Sequence, residues 1–144
     1  MADDKEQEKA RLKGEEARLQ SEKSNLESTN RDLNSKITAL EQARKNIGEA
    51  KDSIKKQKKN VKKVPGDHGK GWTGTTFNEV KEKSEKGSLF SAYESYIKEI
   101  DGVEDGLNNE IARLKGEVWK NEGLIGQIKT ALNNIWTALR NLCN

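Results

Sequence analysis

A chain of 144 residues is long enough for one domain, but this one is very polar, with 31% hydrophobic and 35% charged residues. Its net charge of +3 is too small to indicate nucleic-acid binding, and its lone cysteine, Cys143, excludes an internal disulfide and a cysteine metal cluster. This composition is typical of disorder or of long solvated helices, and the spacing of the apolar residues distinguishes the two.

No apolar run approaches the roughly 18–20 residues of a membrane-spanning helix, so we expect no stable membrane insertion. The first residues have neither the basic start nor the apolar core of a secretory signal. We therefore expect a protein that is made and folded in the cytoplasm. Any secretion would need another route.

The first predicted element is a helix over about residues 4–64, because an apolar residue recurs at every seventh position. These residues are Leu12, Leu19, Leu26, Leu33, Leu40, Ile47, Ile54 and Val61. Two helices of a coiled coil pack along a seam that has two rows of residues, and we expect the second row of this helix three residues after each member of the first. The second row is apolar near the C-terminal end of the helix, at Ala43, Ala50 and Val64. It is polar toward the N-terminus, at Glu15, Glu22, Thr29 and Lys36. Whether residues 1–30 are ordered without a partner stays open.

A turn is predicted over about residues 65–74, where the only proline, Pro65, is followed by several glycines and then by Trp72 and Gly74. The spacing of Gly66 and Gly69 does not fit a phosphate-binding loop, so no nucleotide cofactor is expected. Trp72 and Gly74 can close the turn of the hairpin, because the aromatic covers its end and the glycine allows a close approach or a positive φ.

The second predicted helix covers about residues 75–142, with a kink expected near residues 87–88 because Gly87 and Ser88 interrupt the pattern. It carries two rows of apolar residues at the spacing of a coiled coil. Glu104 and Asn121 interrupt these rows and are candidates for setting the register. The predicted fold is therefore all-α, a single long antiparallel two-helix hairpin.

Folding the chain back near residue 69 would pair positions whose numbers add to about 138, for example Leu12 with Gly126. The fuller seam of the second helix would then face a thin one, and its last turns would reach or pass the end of the first. We expect that surplus to bind helices of another chain in a bundle of about four. The candidate partner-binding residues are Val118, Trp119, Ile125, Ile128, Leu132, Ile135, Trp136, Leu139 and Leu142.

The tryptophan and glycine at the bend resemble the WXG-motif proteins of type VII secretion, with Trp72, Gly74 and Phe77 at the matching positions. The long lysine-rich first arm is similar to the small bacterial accessory proteins of LXG polymorphic toxins. This resemblance implies a chaperone-like adaptor that binds the helical N-terminal domain of an LXG toxin and presents it for type VII secretion. A second small helical accessory protein is a further implied partner.

In the WXG superfamily the export signal pairs a tyrosine with an acidic residue four positions later. Here Ile97 follows Tyr93 and Ile100 follows Tyr96 at that spacing. The resemblance therefore implies a partner that supplies the signal. Whether this chain is itself exported stays open.

Two other functions stay open beside a hetero-oligomeric adaptor. One is a self-associating coiled-coil homodimer, and the other is a binder of anionic surfaces through the lysines from Lys55 to Lys63. The simplest interpretation of that cluster is a solvated helix rim. No nucleophile lies beside a base and no carboxylate pair occupies a plausible pocket, so we expect neither an enzyme nor a metal or cofactor site.

Overall fold

In a computed structural model, which describes residues 1–67, 78 and 87–144, the chain forms two helices, α1 (Ala2–Asp67) and α2 (Ser88–Cys143). The two helices make a helical hairpin and no strand occurs among the described residues, as predicted. Helix α1 contains Pro65 in its last turn. The expected kink near residues 87–88 falls where α2 begins.

Contacts between side chains of the same helix stabilise each helix, in addition to the packing of one helix against the other. Exposed ion pairs four residues apart link Arg18 Nη1 to Glu22 Oε2 at 3.3 Å and Arg113 Nη1 to Glu117 Oε1 at 2.6 Å. Asp3 and Asp4 lie in the first turn of α1, where carboxylates interact favourably with the helix dipole. Each such contact contributes only a few tenths of a kcal/mol, roughly 0.3–0.5, so the interhelical seam must supply most of the stability.

The hairpin divides into two compact units, which we call unit A (Met1–Thr38 with Ala112–Asn144) and unit B (Ala39–Ile111). Unit A contains a buried apolar cluster with contributions from both helices. Its members are Leu12, Leu19, Ile128, Leu132 and Ile135. The two predicted rows of α2 are confirmed in unit A, because their apolar members from Leu114 to Ile135 are buried.

The companion row that we expected on α1 is wrong by one residue. In unit A, Glu22, Thr29 and Lys36 are exposed, whereas Asn30 and Ile37, four residues after the Leu26 and Leu33 positions, are buried. The second row of α1 therefore lies four residues after the first, and most of its members are polar. Polar residues at a seam do not differ from surface residues by type, so periodicity alone could not locate this row.

The expected register is also wrong. In unit A, Trp136 Nε1 donates to Glu16 Oε1 at 3.0 Å, and Asn121 Nδ2 donates to Asn30 Oδ1 at 2.9 Å. The first of these pairs adds to 152 by residue number and the second to 151, not to 138. Leu12 therefore packs with the cluster of Ile128, Leu132 and Ile135 instead of facing Gly126, and the last turns of α2 are paired with α1.

Unit B follows the same numerical register through a different set of polar contacts. Arg44 Nη1 donates to Asn108 Oδ1 at 2.9 Å, and Lys58 Nζ lies 3.3 Å from Glu94 Oε1. Both pairs again add to 152. The error in the predicted register is close to 14 residues, or two heptads, and a shift by whole heptads keeps apolar rows facing each other. The polar partners distinguish registers that the apolar rows leave equivalent.

The seam of unit B is more open than that of unit A. Of the unit B residues that the structure describes, only Ile111 is buried. Its apolar seam residues are half-buried: Leu40, Ile47, Ile54, Phe90, Tyr93, Ile97, Ile100 and Leu107. Incompletely covered apolar area therefore occurs in unit B, where the spacing of apolar residues did not predict it.

Candidate protein-binding surface

Most of the candidate partner-binding residues are used inside the hairpin. Val118, Ile125, Ile128, Leu132 and Ile135 are buried. Leu139 and Leu142 are partly buried and pack against the apolar cluster of unit A. These seven side chains therefore stabilise the chain's own fold, and the exposed part of the expected surface is reduced to the two tryptophans.

Trp136 lies at the edge of the seam. Its side chain is 43% exposed, and its indole nitrogen is held by the hydrogen bond to Glu16. Gln20 Nε2 also donates to Glu16 Oε1, at 3.4 Å. Trp136 thus has a polar partner within the chain and an apolar surface that remains open to solvent, an arrangement often found for tryptophan at interfaces.

Trp119 has no such role in the fold. It follows the buried Val118 and is 78% exposed, the largest exposure of any aromatic residue that the structure describes. The depression that it lines on α2 has a volume of about 520 Å³, and its other lining residues are Lys120, Glu122, Gly123, Leu124 and Gln127. Exposing an indole instead of burying it forgoes roughly 1.5–3 kcal/mol, so nothing in the stability of the isolated hairpin favours a tryptophan here.

A narrow row of α2 that begins at Trp119 carries no charged side chain, although Lys120 and Glu122 lie beside Trp119 and line the same depression. At steps of three and four residues along α2, Trp119 is followed by exposed, uncharged residues, namely Gly123, Gly126, Thr130, Asn133 and Thr137. The two threonine hydroxyls donate to backbone carbonyls within α2, Thr130 to Gly126 at 3.2 Å and Thr137 to Asn133 at 2.9 Å. In a chain with 35% charged residues, this uncharged row is chemically distinct.

The glycines of this face are not needed for packing within the hairpin. A Cβ atom built on Gly116, Gly123 or Gly126 would meet no atom within 4 Å beyond its chain neighbours and the nearby backbone of its own helix. Each glycine nevertheless lowers helix stability by about 1 kcal/mol relative to alanine. These three glycines therefore mark no close helix contact within the described part of the chain.

Unit B contains a cluster of ion pairs that joins the two helices. Lys51 Nζ contacts Asp101 and lies 3.3 Å from Glu104 Oε1. The hydrogen bond from Lys51 to Asp101 raises the pKa of the lysine above its ordinary value, and Glu104 adds to this effect against the opposing effect of burial. Glu104 and Asn121, the two polar interruptions of α2, therefore both have partners on α1.

Several sequence predictions concern residues that the structure does not describe. Trp72, Gly74 and Phe77 lie outside the described residues, as does most of the predicted turn. In the lysine cluster, the side chains from Lys55 to Lys59 are described and those of Lys62 and Lys63 are not. Within the described part of the chain, no group of three potential metal-ligating side chains occurs, and neither helix has a segment apolar enough to cross a membrane.

The fold and this surface define a helical-hairpin protein with an exposed tryptophan and an uncharged row of small residues on its second helix. A family model described as YwqH-like matches residues 14–137, which is most of the chain. The chain belongs to the YwqH-like family. No curated protein and no solved structure matches it significantly.

Sequence periodicity missed two features of the candidate surface. Leu124 is 38% exposed beside Trp119 but lies outside the two apolar rows, so the heptad pattern did not include it. The second feature is the uncharged row of small residues. The sequence shows its glycines as a cluster, but only the atoms around each glycine tell whether it packs within the hairpin.

Proposed function

We propose that this protein is a non-enzymatic adaptor that binds the helical N-terminal domain of an LXG-type toxin and helps to deliver it to a type VII secretion machine. Membership of the YwqH-like family and the helical hairpin support a relation to the accessory proteins of LXG toxins. The single observation that carries the binding role is Trp119, exposed at the start of an uncharged row of α2 that the hairpin itself does not use.

The mechanism follows from the chemistry of that face. A partner helix can approach α2 closely at Gly123 and Gly126, because no side chain separates the two backbones there. Trp119 would then be buried against the partner, which makes it the natural anchor of the interface. Thr130 and Asn133 can form hydrogen bonds without the cost of desolvating a charge.

The remaining parts of the proposal come from the resemblance to WXG-motif proteins. Trp72, Gly74 and Phe77 would form the corner that the secretion apparatus recognises, and the partner would supply the export signal. The protein would act in the cytoplasm and leave the cell, if at all, in complex with its toxin. A second small helical protein would complete the bundle.

The test is co-purification with an LXG-domain protein encoded beside this one. Trp119→Glu should abolish the complex while leaving the helical circular dichroism signal and the urea midpoint unchanged, because the side chain is largely exposed. Lys129→Ala, on an exposed residue of the same helix, serves as the matched control. Substitution of Leu139 is a poorer test, because this residue packs against the apolar cluster.

The same face also fits a second copy of the chain, so light scattering on the isolated protein separates the two uses. A monomer that forms a stable complex with the toxin domain supports the adaptor. A tight homodimer that Trp119→Glu dissociates, with no toxin binding in either form, overturns the adaptor in favour of a self-associating structural protein.

A further inference from the structure

Unit B contains a groove with an apolar floor and a basic rim. The groove has a volume of about 380 Å³ and is lined by Phe90 and Ile97 of α2 and by Lys55, Lys58 and Lys59 of α1. Phe90 and Ile97 are half-buried and lie seven residues apart, which is a rise of about 10.5 Å along the helix. The floor therefore presents two apolar contacts separated by two helical turns.

The three lysines do not have the same role. Lys58 is engaged within the hairpin, since its ammonium lies 3.3 Å from Glu94 Oε1 and 4.6 Å from the centre of the Phe90 ring. Lys55 and Lys59 are exposed, and the structure gives neither an ion pair with any described residue. One lysine thus fixes the wall of the groove, and two present charge to whatever enters it.

A second groove in unit B serves as an internal comparison. It has a volume of about 340 Å³ and no charged residue in its lining, which consists of Ile54, Gln57, Leu89, Ala92, Tyr93 and Tyr96. Both grooves expose apolar surface, so hydrophobicity alone would not favour either. The lysines make only the first groove selective for an anionic occupant.

We propose that the groove of Lys55, Lys59, Phe90 and Ile97 binds an acidic amphipathic helix of the partner protein. Such a helix places apolar side chains at steps of three, four and seven residues, which matches the spacing of Phe90 and Ile97. Carboxylates on its flank would reach Lys55 and Lys59. The proposal rests on the proposed function in taking the partner to be a helical protein, and it adds the position and the charge of the bound helix.

The experiment uses the full chain and a synthetic amphipathic peptide with leucines at every third or fourth position and glutamates elsewhere. A second peptide carries lysine in place of each glutamate. Binding is measured by calorimetry at low and at high salt, and contact sites are mapped by carbodiimide cross-linking of peptide carboxylates to lysines. Vesicles of phosphatidylglycerol are tested in parallel.

Lys55→Glu/Lys59→Glu should weaken binding of the acidic peptide by about tenfold or more, since it reverses two charges at the contact. The control Lys45→Glu/Lys56→Glu makes the same change in net charge on exposed residues of α1 outside the groove, and it should bind normally. The lysine peptide should not bind, and the cross-links should fall on Lys55 and Lys59.

The proposal is overturned by equal affinity for the two peptides, by equal losses in the two double variants, or by vesicle binding that depends on Lys55 and Lys59 without peptide binding. The last result would assign the groove to a lipid surface. If the peptide fails to bind while the toxin domain still co-purifies through Trp119, this inference falls and the proposed function stands. If the peptide binds in the groove but no toxin complex forms, the proposed function falls and the acidic-helix groove stands.

Discussion

The pair formed by Asn30 and Asn121 is the most informative position at which to perturb the hairpin. Asn30 is 8% exposed, accepts a hydrogen bond from Asn121 and donates one from Nδ2 to the carbonyl of Val118 at 3.3 Å. Asn30→Ala removes both bonds and leaves the amide of Asn121 without this partner. An unsatisfied polar group costs about 1–3 kcal/mol, and the half-buried position of Asn121 favours the lower part of this range.

Urea unfolding followed by circular dichroism measures this loss. With a slope of about 2 kcal/mol per molar urea, a loss of about 1–2 kcal/mol lowers the midpoint by about 0.5–1 M. Asn25→Ala is the matched control, because it makes the same exchange at an exposed position of α1 and includes the same gain in helix propensity. If Asn30→Ala unfolds at the midpoint of Asn25→Ala or above it, the pair does not stabilise the hairpin.

The same pair should specify the register. In Asn30→Leu/Asn121→Leu both polar groups are replaced, so we expect stability near that of the native chain but weaker discrimination between registers one heptad apart. In a Cys143→Ser background, cysteines at Lys23 and Lys129 report the native register, because they lie one heptad from the Glu16 and Trp136 pair.

Cysteines at Lys23 and Glu122 report a slip of one heptad. Disulfide exchange in a glutathione buffer should yield only the first crosslink in the native sequence and both in the double-leucine variant. If the double-leucine variant forms the native crosslink alone, other contacts fix the register and the role assigned to the asparagines is wrong.

Three further predictions concern a glycine, a core leucine and an ion-paired lysine. Gly123→Ala should raise the free energy of unfolding by about 0.5–1 kcal/mol in a urea titration, because the added methyl group meets open space. If a partner helix packs at this position, the same substitution should weaken toxin binding in a binding titration. Leu132→Ala should cost about 2–5 kcal/mol in urea unfolding, because Leu132 is 3% exposed, and more than Leu107→Ala at a half-buried position of unit B; equal losses would contradict this. The pKa of Lys51 is raised in the folded chain, so the stability that its ion pairs contribute is fully present below the ordinary pKa of 10.5 and is lost as the pH rises through the higher folded pKa. In thermal melts above the folded pKa of Lys51, Lys51→Arg should therefore lose less stability than the native chain.

The helical hairpin was predictable because apolar residues recur at every seventh position in both halves of the chain. The same regularity prevented prediction of the register, since Leu12 meets an apolar row of α2 in any alignment shifted by a heptad. The contacts that do fix it, such as Asn30 with Asn121, are made by residue types common on helix surfaces. The centre of the turn was placed near residue 69 because glycine and proline are concentrated there. Their presence indicates a turn but does not fix how many residues it contains.

The candidate surface was predicted only in part. Trp119 was identified from its size beside an apolar row, and it remains the centre of the proposed interface. Leu132 and Ile135 were assigned to a partner because the expected register left them uncovered, and the observed register covers them. The groove at Phe90 and Ile97 could not be foreseen, because the sequence does not reveal how completely the two helices bury each other.

The incomplete burial in unit B has a consequence for local opening of the two helices. Segments with few buried apolar contacts open locally at lower free energy than well-packed ones. Backbone amides around Ile54 and Ile97 should therefore exchange with deuterium sooner than those around Leu19 and Ile128. A helix seated between Lys55 and Phe90 would slow that exchange on both flanking segments, including amides that it never touches.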